Sequence, residues 1–328
     1  MLLYGAGTVL TGPPGFDNPA AAQTGGAVPG GAIGAANDSE SWRAVRRGVR
    51  GTVSIPDKQA GVLIQSEGDN WRAVNNGPVK TFGGWLLLAT VLVLAAFFAI
   101  HGRVRVESGV SGRTIERYTG LERFAHWLTA TSFVVLALTG LNITYGRYVL
   151  LPIIGSAAFS AISGWGKYAH NFVGFAFAAG IVLEFVLWVK DNLPDRYDIT
   201  WLAKGGGLFA GGRHLPATRF NAGQKLVFWM VVVVGLLMVA SGVTMLFPFY
   251  WFGMQGMQLA QLVHVVLALL FVAAIIAHIY LGTIGTEGAF GAMATGVVDE
   301  NWARKHHSVW ASEILGEPRP EPDRAGDD

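Results

Sequence analysis

Long apolar runs separated by short polar segments dominate the chain from residue 82 onward. Each run is close to the roughly 20 residues that an α-helix needs to cross the hydrocarbon core of a bilayer. The pattern predicts five transmembrane helices, at Phe82–Ile100, Phe124–Asn142, Tyr168–Val189, Leu226–Phe247 and Leu259–Gly282. The composition supports this interpretation, because 52% of the 328 residues are hydrophobic and only 14% are charged, as in a membrane protein with several spans.

The segments on either side of these helices are polar or biased in composition. Residues 1–41 are rich in Gly, Ala and Pro and are predicted to be disordered or the remnant of a targeting segment. Residues 42–81 contain the phrase WRAV-x-x-G twice, and we interpret them as a small extracytoplasmic arm with a hairpin, the alternative being a chance repeat. The rest divides into an extra span at 82–101, a cytoplasmic loop at 102–123, a four-helix core at 124–285 and a cytoplasmic tail at 286–328.

Lysine and arginine residues are concentrated in alternate connections between the predicted helices. The connection at 101–123 carries five of them and the one at 190–225 carries six, whereas the connection at 248–258 carries none. Short basic connections stay on the cytoplasmic side of a bacterial membrane. With five spans, this rule places the N-terminus in the periplasm and the C-terminus in the cytoplasm, across a bacterial inner membrane. A net charge of +2, without a basic aromatic stripe, predicts no nucleic-acid partner.

Four histidines lie in or at the ends of the predicted core helices. His264 and His278 are fourteen residues apart in the last helix, which corresponds to about 21 Å of axial rise along one helical stripe. In the predicted orientation, His126 begins the second span at its cytoplasmic end and His170 begins the third span at its periplasmic end. Equal depths therefore pair His170 with His264 and His126 with His278.

Two histidine pairs at two depths favour two stacked cofactors in the middle of the bundle. An ionisable side chain in a membrane span is costly and usually functional, and four-helix bundles hold haem between facing histidines. The absence of cysteine excludes covalent haem attachment through C-x-x-C-H and cysteine-ligated iron–sulfur clusters. The alternatives are packing histidines in a purely structural anchor and a histidine-lined metal or proton transporter, which usually adds carboxylates.

Short phrases distributed over the core carry a resemblance to a known family. They are ERFAHW at 122–127, HNFVG at 170–174, DNLPDRYDITWL at 191–202, RFNAGQKLVFW at 219–229, LVHVVLA at 262–268, AHIYLG at 277–282 and NWARKHHSVW at 301–310. From about residue 117 to 315 the chain is similar to the membrane-bound cytochrome b (gamma) subunit of formate dehydrogenase-N, in a longer bacterial variant. The resemblance implies an all-α membrane protein, with a four-helix transmembrane dihaem cytochrome b core and one additional N-terminal transmembrane helix.

The resemblance also implies cofactors and the residues that bind them. Two haem b groups would be held by the two pairs already named, His170 with His264 and His126 with His278. A quinone, ubiquinone or menaquinone, would bind near His278, at Asn221, Gly223 and Gln224. Without the resemblance, this phrase predicts a helix N-terminal cap with Asn221 as the capping residue, and the two roles are compatible.

Three further charged residues are candidates for roles beside these cofactors. Glu184 follows His170 by fourteen residues and lies on the same stripe, near the level of the cytoplasmic pair. A buried carboxylate in a span must be paired, protonated or functional. We therefore expect Glu184 either to pass protons toward the quinone or to pair with a loop Arg or Lys. Arg117 and Arg123 are candidates to pair with haem propionates, or else ordinary arginines of the cytoplasmic face.

The function that the resemblance implies is electron transfer within a larger complex. A molybdenum or tungsten catalytic alpha subunit and an iron–sulfur beta subunit would deliver electrons from formate. This chain, which has no formate-oxidising site of its own, would pass them through both haems to a quinone in the membrane lipid. The alternative is the same core with another donor, as the cytochrome b subunit of a membrane hydrogenase or a thiosulfate reductase. The phrases DNLPDRYDITWL and NAGQK favour the formate branch by analogy.

Overall fold

The computed structural model of the chain describes residues 66–106, 108–207 and 215–319. The strand-like runs of the predicted arm, residues 1–41 and the last residues of the predicted tail lie outside this part of the chain. By its internal contacts the chain divides into Met1–Asp69 and Asn70–Asp328. Apart from the helix start at Ser66, everything described below belongs to the second unit.

Long helices account for most of the described residues. The helices are α1 (Ser66–Val74), α2 (Lys80–His101), α3 (Gly120–Val149), α4 (Leu151–Trp188), α5 (Asp198–Ala203), α6 (Ala222–Leu246), α7 (Met254–Tyr280), α8 (Ala289–Thr295), α9 (Glu300–His306) and α10 (Ser308–Leu315). By length and composition, five helical stretches could cross a membrane: Gly68–His101, Gly120–Val149, Leu151–Trp188, Ala222–Leu246 and Met254–Gly285. Each overlaps one predicted span, and the first and third begin well before it, so the predicted all-α membrane fold is confirmed.

Helices α1 and α2 are joined without a loop. A π-helical turn, Asn75–Val79, connects them and contains Pro78. Proline has no amide proton to donate, and the wider backbone of the π-helical turn accommodates it. The second WRAV-x-x-G phrase, expected in a separate arm, is therefore helical and continues directly into the first span. Trp71 Nε1 donates to Gln261 Oε1 at 2.9 Å, and the Tyr145 hydroxyl donates to the carbonyl of Lys80 at 2.9 Å. These bonds attach the N-terminal helix to α7 and α3.

The other four long helices, α3, α4, α6 and α7, pack into a bundle with small residues at their contacts. A side chain on Gly180 would collide with the hydroxyl of Thr129, and a side chain on Gly235 would collide with Ile181. Gly155 near the start of α4 has φ 76° and ψ 170°, a combination open to glycine, and it separates a first turn from the long part of that helix. The predicted third span lies wholly after this break.

The polar connections at one end of the bundle fold into a cap, which we call the basic end. It consists of the described parts of residues 102–119, 189–221 and 286–316. In it, β1 (Thr114–Glu116) pairs antiparallel with β2 (Val297–Asp299). Helices α9 and α10 are part of this end, and their side chains Trp302 and Trp310 are buried in it. The residues after 286, expected to form a tail, are thus folded as far as Leu315 because their aromatic side chains complete the core of the cap.

Candidate functional site

The four histidines predicted to act together lie in two pairs. The rings of His170 on α4 and His264 on α7 have centroids 6.2 Å apart, and those of His126 on α3 and His278 on α7 have centroids 6.5 Å apart. Helix α7 contributes to both pairs because fourteen residues are close to four whole turns. The structure brings together the same partners that equal depth predicts.

The ring separations suit one metal ion between the members of each pair. An imidazole nitrogen binds a transition metal at about 2 Å and lies roughly 1.2 Å from its ring centre, so two rings that share one ion would have centroids up to about 6.4 Å apart. Protein atoms cover all four histidines only partly. Each ring therefore keeps surface that a planar cofactor can cover, and a pair of imidazoles is a ligand set that haem iron accepts.

The hydroxyl groups beside His170 and His264 identify the protonated nitrogen of each ring. Thr139 Oγ1 lies 2.8 Å from His170 Nδ1 and donates its own proton to the carbonyl four residues earlier. Ser241 Oγ lies 2.9 Å from His264 Nδ1 and donates in the same way. Each ring also forms a hydrogen bond with a backbone carbonyl, that of Leu136 for His170 and that of Met238 for His264. Because a carbonyl only accepts, each Nδ1 carries the proton and shares it between the carbonyl and the hydroxyl oxygen. Both Nε2 atoms then keep their lone pairs for a metal.

The His126/His278 pair has different surroundings. Among the residues that the structure describes, no group forms a hydrogen bond with the buried Nδ1 of His126. The ring of Trp127 packs edge-on against His126, with 5.3 Å between the centroids. Nothing in this part of the chain therefore fixes which nitrogen of His126 carries the proton, in contrast to the other pair.

An aromatic layer lies midway between the two pairs. Phe133, Phe177 and Phe271 come from α3, α4 and α7, and the distances between their ring centroids are 4.8, 6.1 and 6.3 Å. Each follows one of the paired histidines by seven residues, which is two helical turns and half of the axial distance between the pairs. The middle of the bundle is thus apolar. This layer was not predicted, although the seven-residue spacing is visible in the sequence.

Glu184 is buried in α4, with 5% of its surface exposed. Its carboxyl group forms a hydrogen bond with Thr129, a residue one turn beyond His126 on α3. No lysine or arginine within the described ranges forms an ion pair with Glu184, so the expected alternative of a loop Arg or Lys partner finds no support there. The residue combines burial in a span with proximity to the helical level of His126, as its position in the sequence predicts.

The three residues predicted to bind quinone form the first turn of α6. Asn221 Oδ1 accepts a hydrogen bond from the amide of Gln224 at 2.9 Å, and Gln224 Oε1 accepts one from the amide of Asn221 at 3.1 Å. The predicted cap is therefore confirmed, in the reciprocal form of a capping box. Both side-chain oxygens are used in the cap, which leaves the two NH2 groups as the donors of this turn. Any side chain on Gly223 would collide with Trp201, whose indole lies against the helix start.

Ion pairs hold this turn to the loop after α4. Lys225 Nζ lies 2.7 Å from Asp195 Oδ2 and 2.9 Å from Asp198 Oδ2. Burial alone would raise the pKa of Asp195, but hydrogen bonds from Lys225 and its other donors outweigh it and hold that pKa below its ordinary value. The phrases DNLPDRYDITWL and NAGQK, which are separate in the sequence, thus form one structural unit.

Glu122 connects the basic end to the level of the His126/His278 pair. It lies one helical turn before His126 and accepts hydrogen bonds at 2.7 Å from both Arg219 and the indole of Trp188. Arg219 also pairs with Asp191 at 2.7 Å. Burial would lower the pKa of Arg219, but its two carboxylate partners raise it above the ordinary value. This network joins α3, α4 and the segment before α6.

The two arginines predicted to pair with haem propionates both contact protein groups. Arg123 donates to the carbonyls of Met293 and Ala294 at the end of α8. Arg117 is 3% exposed, and its guanidinium lies 5.0–5.3 Å from the ring centres of Tyr118, Trp302 and Trp310. Their propionate roles stay predictions. The aromatic surroundings of Arg117 were not predicted, because two of the rings come from the C-terminal segment.

His307 contacts Arg117 inside this aromatic cluster. Arg117 Nη2 lies 3.0 Å from His307 Nε2, and His307 Nδ1 lies 2.9 Å from the carbonyl of Thr218. Because a guanidinium only donates and a carbonyl only accepts, Nε2 is the acceptor and Nδ1 carries the proton. Burial, and then the neighbouring Arg117, hold the pKa of His307 well below its ordinary value. The ring is therefore neutral.

Known proteins match the part of the chain that contains both histidine pairs. The family model of prokaryotic cytochrome b561 matches residues 117–296. The nitrate-inducible formate dehydrogenase cytochrome b556 subunit of Escherichia coli K12 is 29% identical over 207 residues, 62% of this chain and 92% of that protein. A second formate dehydrogenase cytochrome b556 subunit of Escherichia coli K12 is 31% identical over 203 residues, 61% of this chain and 93% of that protein.

A formate dehydrogenase cytochrome b556 subunit of Haemophilus influenzae is 26% identical over 135 residues, 40% of this chain and 54% of that protein. These matches confirm the resemblance seen in the sequence phrases. The family match covers more than half of the chain and includes all four paired histidines. The chain is therefore a multi-pass membrane protein of the prokaryotic cytochrome b561 family, whose members bind b-type haem and transfer electrons.

Proposed function

We propose that this chain is the membrane electron-transfer subunit of a respiratory formate dehydrogenase. It takes electrons from an iron–sulfur subunit, passes them through two b-type haems and delivers them to a quinone at the basic end. The observation that carries the proposal is the two histidine pairs, 6.2 and 6.5 Å between ring centroids, in a member of this family. The names of the curated relatives, which are formate dehydrogenase subunits, support the choice of donor.

In this proposal each histidine pair would hold one haem. His170 and His264 hold one haem, and His126 and His278 hold the other. Haem supplies one-electron chemistry when it is bound. Two histidines would occupy the iron positions available to protein and substrate, so each site would supply electron transfer and no ligand chemistry. Phe133, Phe177 and Phe271 keep the space between the sites apolar.

The first turn of α6 binds the quinone. The NH2 groups of Asn221 and Gln224 donate to a quinone carbonyl, while their oxygens remain in the capping box. Gly223 keeps the indole of Trp201 beside this turn. Glu184 passes protons toward the reduced quinone, a role supported by its burial in a span without an ion-pair partner in the described part of the chain.

The basic end faces the cytoplasm of a bacterial cell, and the N-terminal side faces the periplasm. The distribution of lysine and arginine supports this orientation in the inner membrane. The iron–sulfur beta subunit docks at the periplasmic end, nearest to the His170/His264 pair, and the molybdenum or tungsten alpha subunit oxidises formate. Arg117 and Arg123 remain candidates for the haem propionates at the cytoplasmic pair.

Haem stoichiometry tests the proposal directly. A pyridine haemochromogen assay and a reduced-minus-oxidised spectrum of the purified chain should give two haem b per chain. His264→Ala and His278→Ala should each lose one haem, whereas His101→Ala, at an exposed histidine outside the pairs, should retain both. A haem-free wild-type chain would overturn the proposal and favour the histidine-lined transporter.

The electron donor and the proton path need the intact membrane complex. Reduction of both haems by formate, and not by hydrogen or a sulfur donor, supports the formate dehydrogenase over the hydrogenase or thiosulfate reductase alternative. Glu184→Gln should slow quinone reduction but leave haem reduction by formate unchanged. Glu116→Gln, at an exposed glutamate of β1, is the matched control. A Glu184→Gln complex with full quinone reduction would exclude the proton role.

A further inference from the structure

The same two-residue pattern, a hydroxyl residue followed by glycine, occurs beside both histidines of one pair. Thr139–Gly140 on α3 contacts His170, and Ser241–Gly242 on α6 contacts His264. A methyl group on Gly140 would lie 3.3 Å from His170 Cε1, and one on Gly242 would lie 3.5 Å from His264 Cε1. The glycines therefore let each ring approach the neighbouring helix closely enough for the hydroxyl to reach Nδ1.

Each hydroxyl is polarised by a hydrogen bond of its own. Thr139 Oγ1 donates to a backbone carbonyl at 2.7 Å, and Ser241 Oγ donates to one at 2.8 Å. A hydroxyl that donates to a carbonyl is a better acceptor, because chains of hydrogen bonds polarise one another. A hydrogen bond from the distal ring N–H of a ligating histidine in turn raises the basicity of the ligating nitrogen. Both histidines of this pair are thus made stronger electron donors.

The other pair has no counterpart of this arrangement among the described residues. His126 Nδ1 is buried there without a hydrogen-bond partner. The nearest hydroxyl one turn along α3, that of Thr129, donates to the carbonyl of Ala125 and contacts Glu184. The two pairs therefore differ in the support of their Nδ1 atoms while sharing nearly the same ring separation.

We infer that Thr139 and Ser241 are positioning residues that lower the reduction potential of the haem at His170/His264 below that of the haem at His126/His278. A ligand that donates more electron density stabilises ferric iron more than ferrous iron, which lowers the reduction potential. Hydrogen bonds to the ligating histidines tune the potential in this way. One electron lost at the first site is gained at the second, with no bond made or broken. The transfer from the periplasmic to the cytoplasmic pair is then downhill. This inference rests on the proposed function for the two haems and their order.

Potentiometric titration of the purified chain, followed at the haem absorption bands, tests the inference. Thr139→Val and Ser241→Ala should each raise one of the two midpoint potentials, and the double variant should raise it most. The other potential should stay at its wild-type value. The haem that responds should be the one that His264→Ala removes. Thr139→Ser and Ser241→Thr, which keep a hydroxyl, should restore the wild-type potential.

Matched controls come from an exposed threonine, Thr131, and a half-buried threonine, Thr244, on the same helices. Thr131 on α3 and Thr244 on α6 also donate to a backbone carbonyl, at 2.6 and 2.9 Å, but contact neither pair. Thr131→Val and Thr244→Val should leave both potentials unchanged. Unchanged potentials in the double variant, or equal shifts of both haems, would overturn the inference. A wild-type chain without two haems would instead overturn the proposed function, before any variant is titrated.

Discussion

The two histidine pairs have nearly the same ring separation, 6.2 and 6.5 Å, yet the chain supports them in different ways. At His170 and His264, a hydroxyl and a glycine from the adjacent helix fix each ring. At His126 the described residues offer no such hydroxyl. That level is instead bounded by the ion-pair network of Glu122 and Arg219, one turn away at the basic end.

This difference separates two properties of a cofactor site. The number and depth of the histidine pairs follow from one helix, because α7 carries a histidine of each pair fourteen residues apart. The chemistry of each site follows from its neighbours on other helices. One pair is held by short-range hydrogen bonds inside the span, and the other lies beside a polar cap that is exposed to the solvent on one side.

The largest effect is expected from a residue that the two pairs share. Phe271 lies seven residues from both histidines of α7 and packs 4.8 Å from the ring centre of Phe133. Phe271→Ala should lower the stability of the bundle by about 3–5 kcal/mol, because the neighbouring rings lose their contacts across the cavity. Thermal unfolding in detergent, followed at the haem bands, should show both haems released at the same lowered temperature.

Leu270→Ala is the matched control for this variant. Leu270 is the neighbouring residue, is 53% exposed and faces away from the aromatic layer. It should unfold close to the wild-type temperature. If Phe271→Ala released only one of the two haems, the aromatic layer would support one histidine pair alone. The expectation that both pairs depend on this layer would then be wrong.

The features that could be predicted are those encoded along single helices. The five spans, the four histidines and their pairing all follow from apolar length and from spacing at 3.6 residues per turn. The cap formed by Asn221 and Gln224 is also local, since its partners are three residues apart. Local patterns of this kind need no knowledge of which helices are neighbours.

The features that were missed depend on contacts between distant segments. Thr139 and Ser241 are ordinary hydroxyl residues in their own helices, and they matter only because α4 and α7 bring a histidine to each. The aromatic rings around Arg117 likewise come from residues 118, 302 and 310. The fold of residues 286–315 likewise depends on Trp302 and Trp310 reaching the basic end.

A smaller effect, confined to one haem, is expected from substitutions at the two glycines that contact the His170/His264 pair. A methyl group on Gly140 would lie 3.3 Å from His170 Cε1, a tight contact, whereas one on Gly242 would lie 3.5 Å from His264 Cε1, an ordinary contact. Gly140→Ala should displace the His170 ring and cost about 1 kcal/mol, at the low end for overpacking. Electron paramagnetic resonance of the oxidised chain should show a change at one haem only.

Gly242→Ala serves as the graded partner of that variant. It should leave both resonance signals close to the wild type, because the contact is within the normal range. We expect Gly140→Ala to affect only the haem at His170/His264. A change in the signal of the haem that His278→Ala removes would show that this expectation is wrong. Equal changes in the two glycine variants would show that the 3.3 and 3.5 Å contacts are equivalent.

The smallest effect is expected at the basic end and depends on pH. The pKa of His307 lies well below 6.5, because of burial and then because of Arg117, so the folded chain keeps this ring neutral. The unfolded chain takes up a proton below pH 6.5, so the stabilising contribution is complete above that value and is lost as the pH falls. The first pH unit below it should cost at most about 1 kcal/mol.

The loss of stability in acid should affect the His126/His278 pair more than the His170/His264 pair, since Arg117 and His307 belong to the cap beside His126. Acid release of haem, followed spectroscopically, should begin at the haem that His278→Ala removes. Protonation of the ligating histidines themselves also favours release in acid, so His307→Gln is needed to separate the two causes. That variant should flatten only the early part of the curve, and His101→Gln should leave it unchanged. Identical curves for His307→Gln and the wild type would mean that the cap does not hold the His126/His278 pair, and that both pairs depend on their helices alone.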